Sequence, residues 1–332
     1  MGKIRSGISQ IGGKFRLVNT IQQYIPFHNF YLEPFLGAGW ILLNKPRCQY
    51  ECANDLNSEL INYYLIIREH PEEFDELKKG VFGLVSQEIC NRIVSGELMP
   101  RNNIERAYFF YYLNKTTFGS TLWQVREKPP WKGIDPTDQA GKWKTGGYKG
   151  IGAAQHDFQS KMKKAQNKGI NPKTTRPYTN NDCGLLSPLD KEAIKRLRYV
   201  NLTTYPFQKV YRLFYRAFYE KKGLGPECFI YFDPPYPGTE KHYKTGFGKK
   251  DHLDLINIIK ESPFHCLLSI GGDCEFYLKA LKDFIQVPVK VRYATDANTQ
   301  KESQEYLIMN YDIKEQGLME QDASQKRLSD FF

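Results

Sequence analysis

The stretch IYFDPPYPG, residues 230–238, decides how the chain is read. Apolar residues run straight into an acid and two prolines. Neither proline can donate to a sheet ladder, so a buried strand must stop there at a rigid corner. Asp233 and Tyr236 are left at the strand's carboxyl end. In open α/β sheets that edge is where ligands bind.

Working outward, strands alternate with helices. NFYLEPF (29–35) and QYECAN (49–54) read as strands, the first followed by the turn LGAGW and the second by Asp55. NSELINYYLIIREH (57–70) has helical periodicity, with Asn57 as its cap. Residues 71–122 are mostly helical in pattern. Beyond 186, SPLDKEAIKRLRYV reads as a helix with Ser187 as cap, Pro188 at its first position and Asp190 in its first turn. YVNLTTYPF and CFIYF read as strands on either side of the helical QKVYRLFYRAFYEKK. DHLDLINIIKE (251–261) reads as a helix capped by Asp251, and FHCLLSIGG, FIQVPVKVRYAT and QEYLIMNYD as strands. The alternation predicts a largely parallel sheet with helices on both faces.

Composition sets the bounds. At 332 residues the chain fits one large or two modest domains. With 41% hydrophobic and 25% charged residues it is ordinary for a globular protein. No apolar run approaches the ~20 residues of a membrane span, and MGKIRSGISQ lacks the apolar segment of a signal peptide. The seven cysteines are scattered without a CxxC pair. That argues against a disulfide scaffold or a metal site and for a reducing compartment. The formal charge is +10, and residues 126–182 hold 12 Lys/Arg against 5 Asp/Glu. Trp131, Trp143, Tyr148 and Phe158 interleave with these charges. The pattern suits a nucleic-acid surface, although a solvated basic loop has the same composition.

The turn EPFLGAG places Gly37 and Gly39 where backbone can approach a ligand closely. Asp55 follows 18 residues after Gly37, near the spacing at which an acid binds ribose hydroxyls in Rossmann-like folds. The third glycine of the dinucleotide fingerprint is missing, which disfavours NAD. Taken with GGK (12–14) and DPPY (233–236), in this order, the sequence resembles the Dam-like DNA adenine methyltransferases. The matching pieces are GGKFRLV, YLEPFLGAGW, ANDLNSELINYY, YYLNKTTFG, IYFDPPY and, more loosely, CLLSIGG.

The resemblance implies a fold: α/β, a Rossmann-like methyltransferase core with a mostly helical inserted target-recognition domain. It divides the chain into a cofactor half (1–70), a recognition segment (71–186), a catalytic half (187–313) and a C-terminal tail (314–332). It also implies S-adenosylmethionine as cofactor and double-stranded DNA as partner. Such enzymes flip an adenine out of the duplex. Asp233 would accept one hydrogen of its amino group and the Pro234 carbonyl the other, while Tyr236 stacks on the base. The methyl group then moves in line from the sulfonium to nitrogen, with no metal and no covalent enzyme intermediate. An aspartate at 233 favours adenine, since related cytosine enzymes more often carry serine there. Gln10, Lys14, Phe35, Gly37, Ala38, Gly39, Asp55 and Asp233 would line the cofactor. This chain departs from the family pattern at Gln10, where an aromatic is common, at FGS (118–120) and at SIGG (269–272).

Asn114, Lys115 and Arg126 are candidates to approach the duplex near the flipped base. Lys128, Lys132, Lys142, Lys144 and Lys149 are candidate phosphate contacts, which position but do not specify. The chain finishes ASQKRLSDFF, in which Gln325, Leu328, Phe331 and Phe332 resemble the PIP box that binds the PCNA sliding clamp. That reading implies a cytoplasmic, nucleoid-associated protein in an archaeon or a nuclear one in a eukaryote. Two other functions share these features: an RNA adenine methyltransferase, and a catalytically silent, clamp-tethered DNA-binding protein.

Overall fold

The computed structural model describes residues 2–8, 13–84, 86–116, 122–125, 142–145, 185–238, 246–294 and 300–313. Its strands are β1 (Phe30–Glu33), β2 (Tyr50–Asn54), β3 (Leu122–Val125), β4 (Lys142–Thr145), β5 (Val200–Thr203), β6 (Cys228–Phe232), β7 (His265–Gly271), β8 (Ile285–Ala294) and β9 (Gln300–Met309). Its helices are α1 (Val18–Gln22), α2 (Trp40–Asn44), α3 (Ser58–Glu69), α4 (Pro71–Glu76), α5 (Gln87–Ser95), α6 (Asn103–Thr116), α7 (Lys191–Leu197), α8 (Phe207–Tyr215), α9 (Lys249–Glu261) and α10 (Glu275–Ala280). Contacts divide the chain into two units. One comprises Lys14–Leu56, Tyr199–Tyr293 and Glu302–Phe332; the other comprises Met1–Gly13, Asn57–Arg198 and Ala294–Lys301.

The first unit holds a seven-stranded sheet in the order β5-β2-β1-β6-β7-β9-β8. The pairs β5/β2, β2/β1, β1/β6 and β6/β7 are parallel, and β9 runs antiparallel to β7. This is the α/β arrangement expected of a methyltransferase core. From β1 the chain proceeds to β2 and β5 on one side, and from β6 to β7 on the other. The β1/β6 boundary is therefore the topological switch point, where a crevice opens beyond the strands' carboxyl ends. The glycine turn follows β1 and the proline corner follows β6, so the topology makes neighbours of two motifs far apart in sequence.

Alternation along the strands gives the sheet two unlike faces. Leu32, Ile230, Phe232, Cys266, Leu268 and Ile270 lie in one apolar core with Phe207, Val210 and Phe214 of α8 and Leu255, Ile256 and Ile259 of α9. Each such side chain, fully buried, contributes about 1.5–3 kcal/mol. The alternate positions include Tyr31, Glu33, Tyr231, Ser269 and Glu305, all buried. Buried polar groups of this kind need partners; those of Tyr31, Glu33 and Glu305 are described below with the site.

In the second unit, Asn57 caps α3 through its side-chain oxygen, which accepts from the amides of Glu59 and Leu60. Helices α3 and α6 pack together. Tyr63 stacks on Tyr111 with ring centroids 6.0 Å apart. Arg106 Nε donates to both carboxylate oxygens of Glu59, at 2.8 and 2.9 Å, and both side chains are buried. This packing places α3 and α7 with the helical unit, so the units divide at 56/57 and 198/199 rather than at the sequence boundaries of 70/71 and 186/187.

Local details depart from the sequence reading in three places. Asp190, not Ser187, caps α7: its Oδ1 accepts from the Glu192 amide at 2.9 Å, and the helix begins after Pro188. Helix α9 starts two residues before Asp251. Asp251 then sits in the first turn and accepts from the amide of the cap residue, Gly248, at 2.9 Å. Strand β3, just ahead of the basic segment, and β4, within it, pair antiparallel, with Trp123 in register with Lys144 and Val125 with Lys142.

Candidate active site

The loop after β1 is shaped by its glycines. Gly37 and Gly39 adopt φ of 52° and 67°, left-handed values that a side chain would disfavour. The Gly37 amide donates to Asp55 Oδ2 at 2.9 Å, which joins the loops after β1 and β2. Asn54, which sequence reasoning did not single out, locks three strand ends together. Its side chain donates to the carbonyls of Pro34 and Tyr205 and accepts from the Tyr205 amide and the Thr203 hydroxyl, all within 3.0 Å. Its signal in the sequence was an amide at the end of a buried strand, where a polar side chain needs a reason to be. Phe35 packs against Phe207 and Phe247, with centroids 5.3 and 5.8 Å away. Ala38 is buried between the two glycines.

At the corner after β6 the decisive contact is between Lys14 and Asp233. Lys14 Nζ donates to Asp233 Oδ1 at 2.6 Å across 219 residues of sequence. Lys14 is not a solvated surface lysine; its side chain is 4% exposed, while that of Asp233 keeps 20%. Burial pushes the Asp233 carboxyl up to about 6, although the charge and hydrogen bond of Lys14 work against the rise. Burial pulls Lys14 the other way, but the carboxylates of Asp233 and Glu305 outweigh it and hold its ammonium charged.

Tyr236 is half-buried. Its hydroxyl donates to Glu305 Oε2 at 2.6 Å and lies 3.5 Å from Ser269 Oγ. Lys14 Nζ stands 4.8 Å from its ring centroid. Burial, then the nearby Asp233 and Glu305, keep the Tyr236 phenol protonated well beyond neutrality. Beneath lie Tyr31 and Glu33, whose hydroxyl-to-carboxyl hydrogen bond is 2.7 Å. Burial raises Glu33 to about 8. The Tyr231 hydroxyl is buried and has no hydrogen-bond partner among the described residues. Glu305 and Glu33 are the acids missed at the sequence level.

The set of groups fits a hydrogen-bonding ligand with both polar and apolar parts. Carboxylates at 233 and 305, an orphan hydroxyl at 231, a glycine turn with Asp55, and an aromatic wall at Phe35 all belong to one unit. Within it the structure brings Lys14, Asp233 and Tyr236 into direct contact at one corner, and Gly37 and Asp55 into contact at the other. Pro234 is buried at the corner itself.

Of the expected DNA contacts, Asn114 and Lys115 belong to the helical unit. Asn114 is buried in α6, and Lys115, half-buried in the same helix, holds its Nζ 5.4 Å from the Tyr111 ring centroid. Lys142 and Lys144 lie on β4. Gln10, Arg126, Lys128, Lys132 and Lys149, and the tail residues Gln325, Leu328, Phe331 and Phe332, lie outside the described residues. Among the described residues no helix is long and apolar enough to cross a membrane.

Part of the chain is similar to known proteins. Residues 11–122 match the model of the D12 class N6 adenine-specific DNA methyltransferase family. The chain is 31% identical over 119 residues to the DNA adenine methylase of Escherichia coli (strain K12), which is 35% of this chain and 42% of that enzyme. It is 39% identical over 120 residues to the DNA adenine methylase of Serratia marcescens, 35% of this chain and 43% of that enzyme. The chain thus spans less than half the length of the curated relatives it matches, and over that part it resembles the Dam-like enzymes. The proline corner lies beyond the matched family segment and is tied to it by the pairing of β1 with β6 and by the Lys14–Asp233 contact.

Proposed function

We propose that this chain, similar in residues 11–122 to D12 class adenine methyltransferases, transfers a methyl group to the 6-amino group of adenine in DNA. The observation that carries the reading is the meeting of Lys14, from the matched segment, with Asp233 of the DPPY corner at 2.6 Å. S-adenosylmethionine, when bound, supplies an electrophilic methyl on a sulfonium.

The chain's own residues supply position. Adenine's amine is a poor nucleophile because its lone pair is delocalised into the ring. Asp233 accepts one amino hydrogen and the Pro234 carbonyl the other, which favours a pyramidal amine with its lone pair localised on nitrogen. Two consecutive prolines fix the direction of that carbonyl. Tyr236 stacks on the flipped base, a contact worth about 1–3 kcal/mol. Asp233 holds the departing proton only briefly, so it need not be a strong base. Asp55 would hold the ribose hydroxyls of the cofactor, Gly37 and Gly39 would let it approach the backbone closely, and Lys14 would lie near its methionine end. The basic segment contacts phosphates and extends the electrostatic footprint. The tail motif Gln325, Leu328, Phe331 and Phe332 tethers the enzyme to a PCNA-type clamp, which raises its local concentration on newly copied DNA.

Asp233→Ala tests the mechanism. The variant loses methyl transfer to DNA yet still binds S-adenosylmethionine in calorimetry; retained turnover refutes the assigned role.

A further inference from the structure

Stacking on a base needs the ring of Tyr236 and not its hydroxyl; a phenylalanine would present the same face. The hydroxyl nonetheless has a built partner. It donates to Glu305 Oε2 at 2.6 Å, a length typical of a hydroxyl on a carboxylate. Glu305 is fully buried in β9, a strand inside the sheet between β7 and β8. An acid there is costly unless it is held by a specific partner.

The residue opposite Glu305 in the ladder is Gly271. A Cβ at Gly271 would stand 2.8 Å from Tyr236 Cε2, 3.1 Å from Tyr236 Cδ2 and 3.1 Å from Glu305 Cγ. Bare strand at that point lets the ring lie directly on the sheet. Gly272, at φ 68°, abuts the corner itself, since a Cβ there would come 2.9 Å from the Pro237 carbonyl oxygen. Ring face and hydroxyl are therefore fixed by two different elements, β7 and β9.

We infer that Glu305 and Gly271 are positioning residues, which set the plane of Tyr236 for stacking on the target base. Glu305 fixes the tilt through the hydroxyl, and Gly271 fixes the depth by leaving room for the ring. Neither touches the reacting atoms. The inference rests on the methyltransferase reading above and extends it to two residues outside the DPPY corner.

The test is a set of rates for tritiated-methyl transfer from S-adenosylmethionine to unmethylated genomic DNA, over a range of DNA concentration. Wild type is compared with Tyr236→Phe, Glu305→Ala, Glu305→Gln, Gly271→Ala and the Tyr236→Phe/Glu305→Ala double variant. Calorimetry with S-adenosylmethionine runs in parallel as a check of folding and cofactor binding. Tyr236→Phe and Glu305→Ala should each lower kcat/KM for DNA roughly tenfold, the loss expected when a hydrogen bond to a charged group is removed. The double variant should be no worse than the poorer single one, because both changes remove the same contact. Glu305→Gln keeps an acceptor and should recover most of the activity. Gly271→Ala should show a similar defect with cofactor affinity unchanged. If Glu305→Ala does not fold, Tyr236→Phe and Gly271→Ala decide. Additive losses in the double variant, or wild-type rates for Tyr236→Phe or Gly271→Ala, would overturn the assignment. A wild type that leaves no label on DNA would instead bring down the function, and the positioning role with it.

Discussion

Replacing Lys14 by Met asks what its contact with Asp233 does. Methionine keeps most of the stem that fills the buried channel and removes Nζ. Asp233 then loses the 2.6 Å hydrogen bond and the adjacent positive charge, both of which hold its carboxyl down. Burial and Glu305, which push it up, remain. A hydrogen bond to a charged group is worth about 1.5–3 kcal/mol, and 1.36 kcal/mol is one pH unit. The midpoint of Asp233 should therefore climb from about 6 by roughly one to two units. Only the carboxylate accepts an amino hydrogen well, so the acid limb of the pH–rate profile should follow. At pH 7 wild type is roughly nine-tenths ionised and the variant between roughly a half and a tenth. The loss should fade above about pH 9. The assay is kcat/KM for DNA at saturating S-adenosylmethionine from pH 5 to 10, which separates this effect from any loss of cofactor affinity. An acid limb that stays where it is in wild type, or moves to lower pH, would refute the reasoning.

Three other outcomes are expected. Glu33 has a folded-state value of about 8 against an ordinary 4.5, so between those values the native state binds a proton that the unfolded chain lacks. Stability should fall as pH rises through that window, and Glu33→Gln should flatten the fall and be more stable at pH 7 by about 3 kcal/mol; urea midpoints at several pH values check this, and parallel curves would contradict it. Glu59→Ala strands the buried Arg106 guanidinium and should cost about 3–5 kcal/mol, whereas replacing both partners by leucine should cost less; a urea series in which the double replacement is the worse of the two would contradict it. Replacing Phe331 and Phe332 by Ala should abolish binding to a PCNA-type clamp in calorimetry while leaving transfer to short duplexes unchanged; equal clamp affinity would reject the tail motif.

How much of this was legible in the sequence depended on whether the signal was local. The strands at 30–33 and 50–54, the Asn57 cap, the glycine turn after the first strand and the proline corner are written in neighbouring residues, and each was read from them. Asp190 and Asp251 were both seen as helix-start signals, but the position of each relative to the cap needed the hydrogen bond itself. Contacts across the sheet were not legible. Nothing local tells that Lys14, in the short turn Lys14–Arg16 ahead of α1, lies on Asp233, 219 residues away in sequence. Glu305 in QEYLIMNYD carries no local sign of its burial. It is buried because β9 lies between two other strands, and its partner Tyr236 is 69 residues earlier. The assignment of α3 to the helical unit was equally hidden, since it depends on which partner its aromatic face meets.

The central claim is methyl transfer to adenine in DNA at the corner formed by Asp233, Pro234 and Tyr236. It is tested most directly by incubating the full chain with tritiated S-adenosylmethionine and unmethylated genomic DNA, then analysing the labelled nucleosides. The account predicts label in N6-methyladenine, absent with Asp233→Ala. Label in methylcytosine, or a folded, cofactor-binding protein that leaves DNA unlabelled, would contradict it.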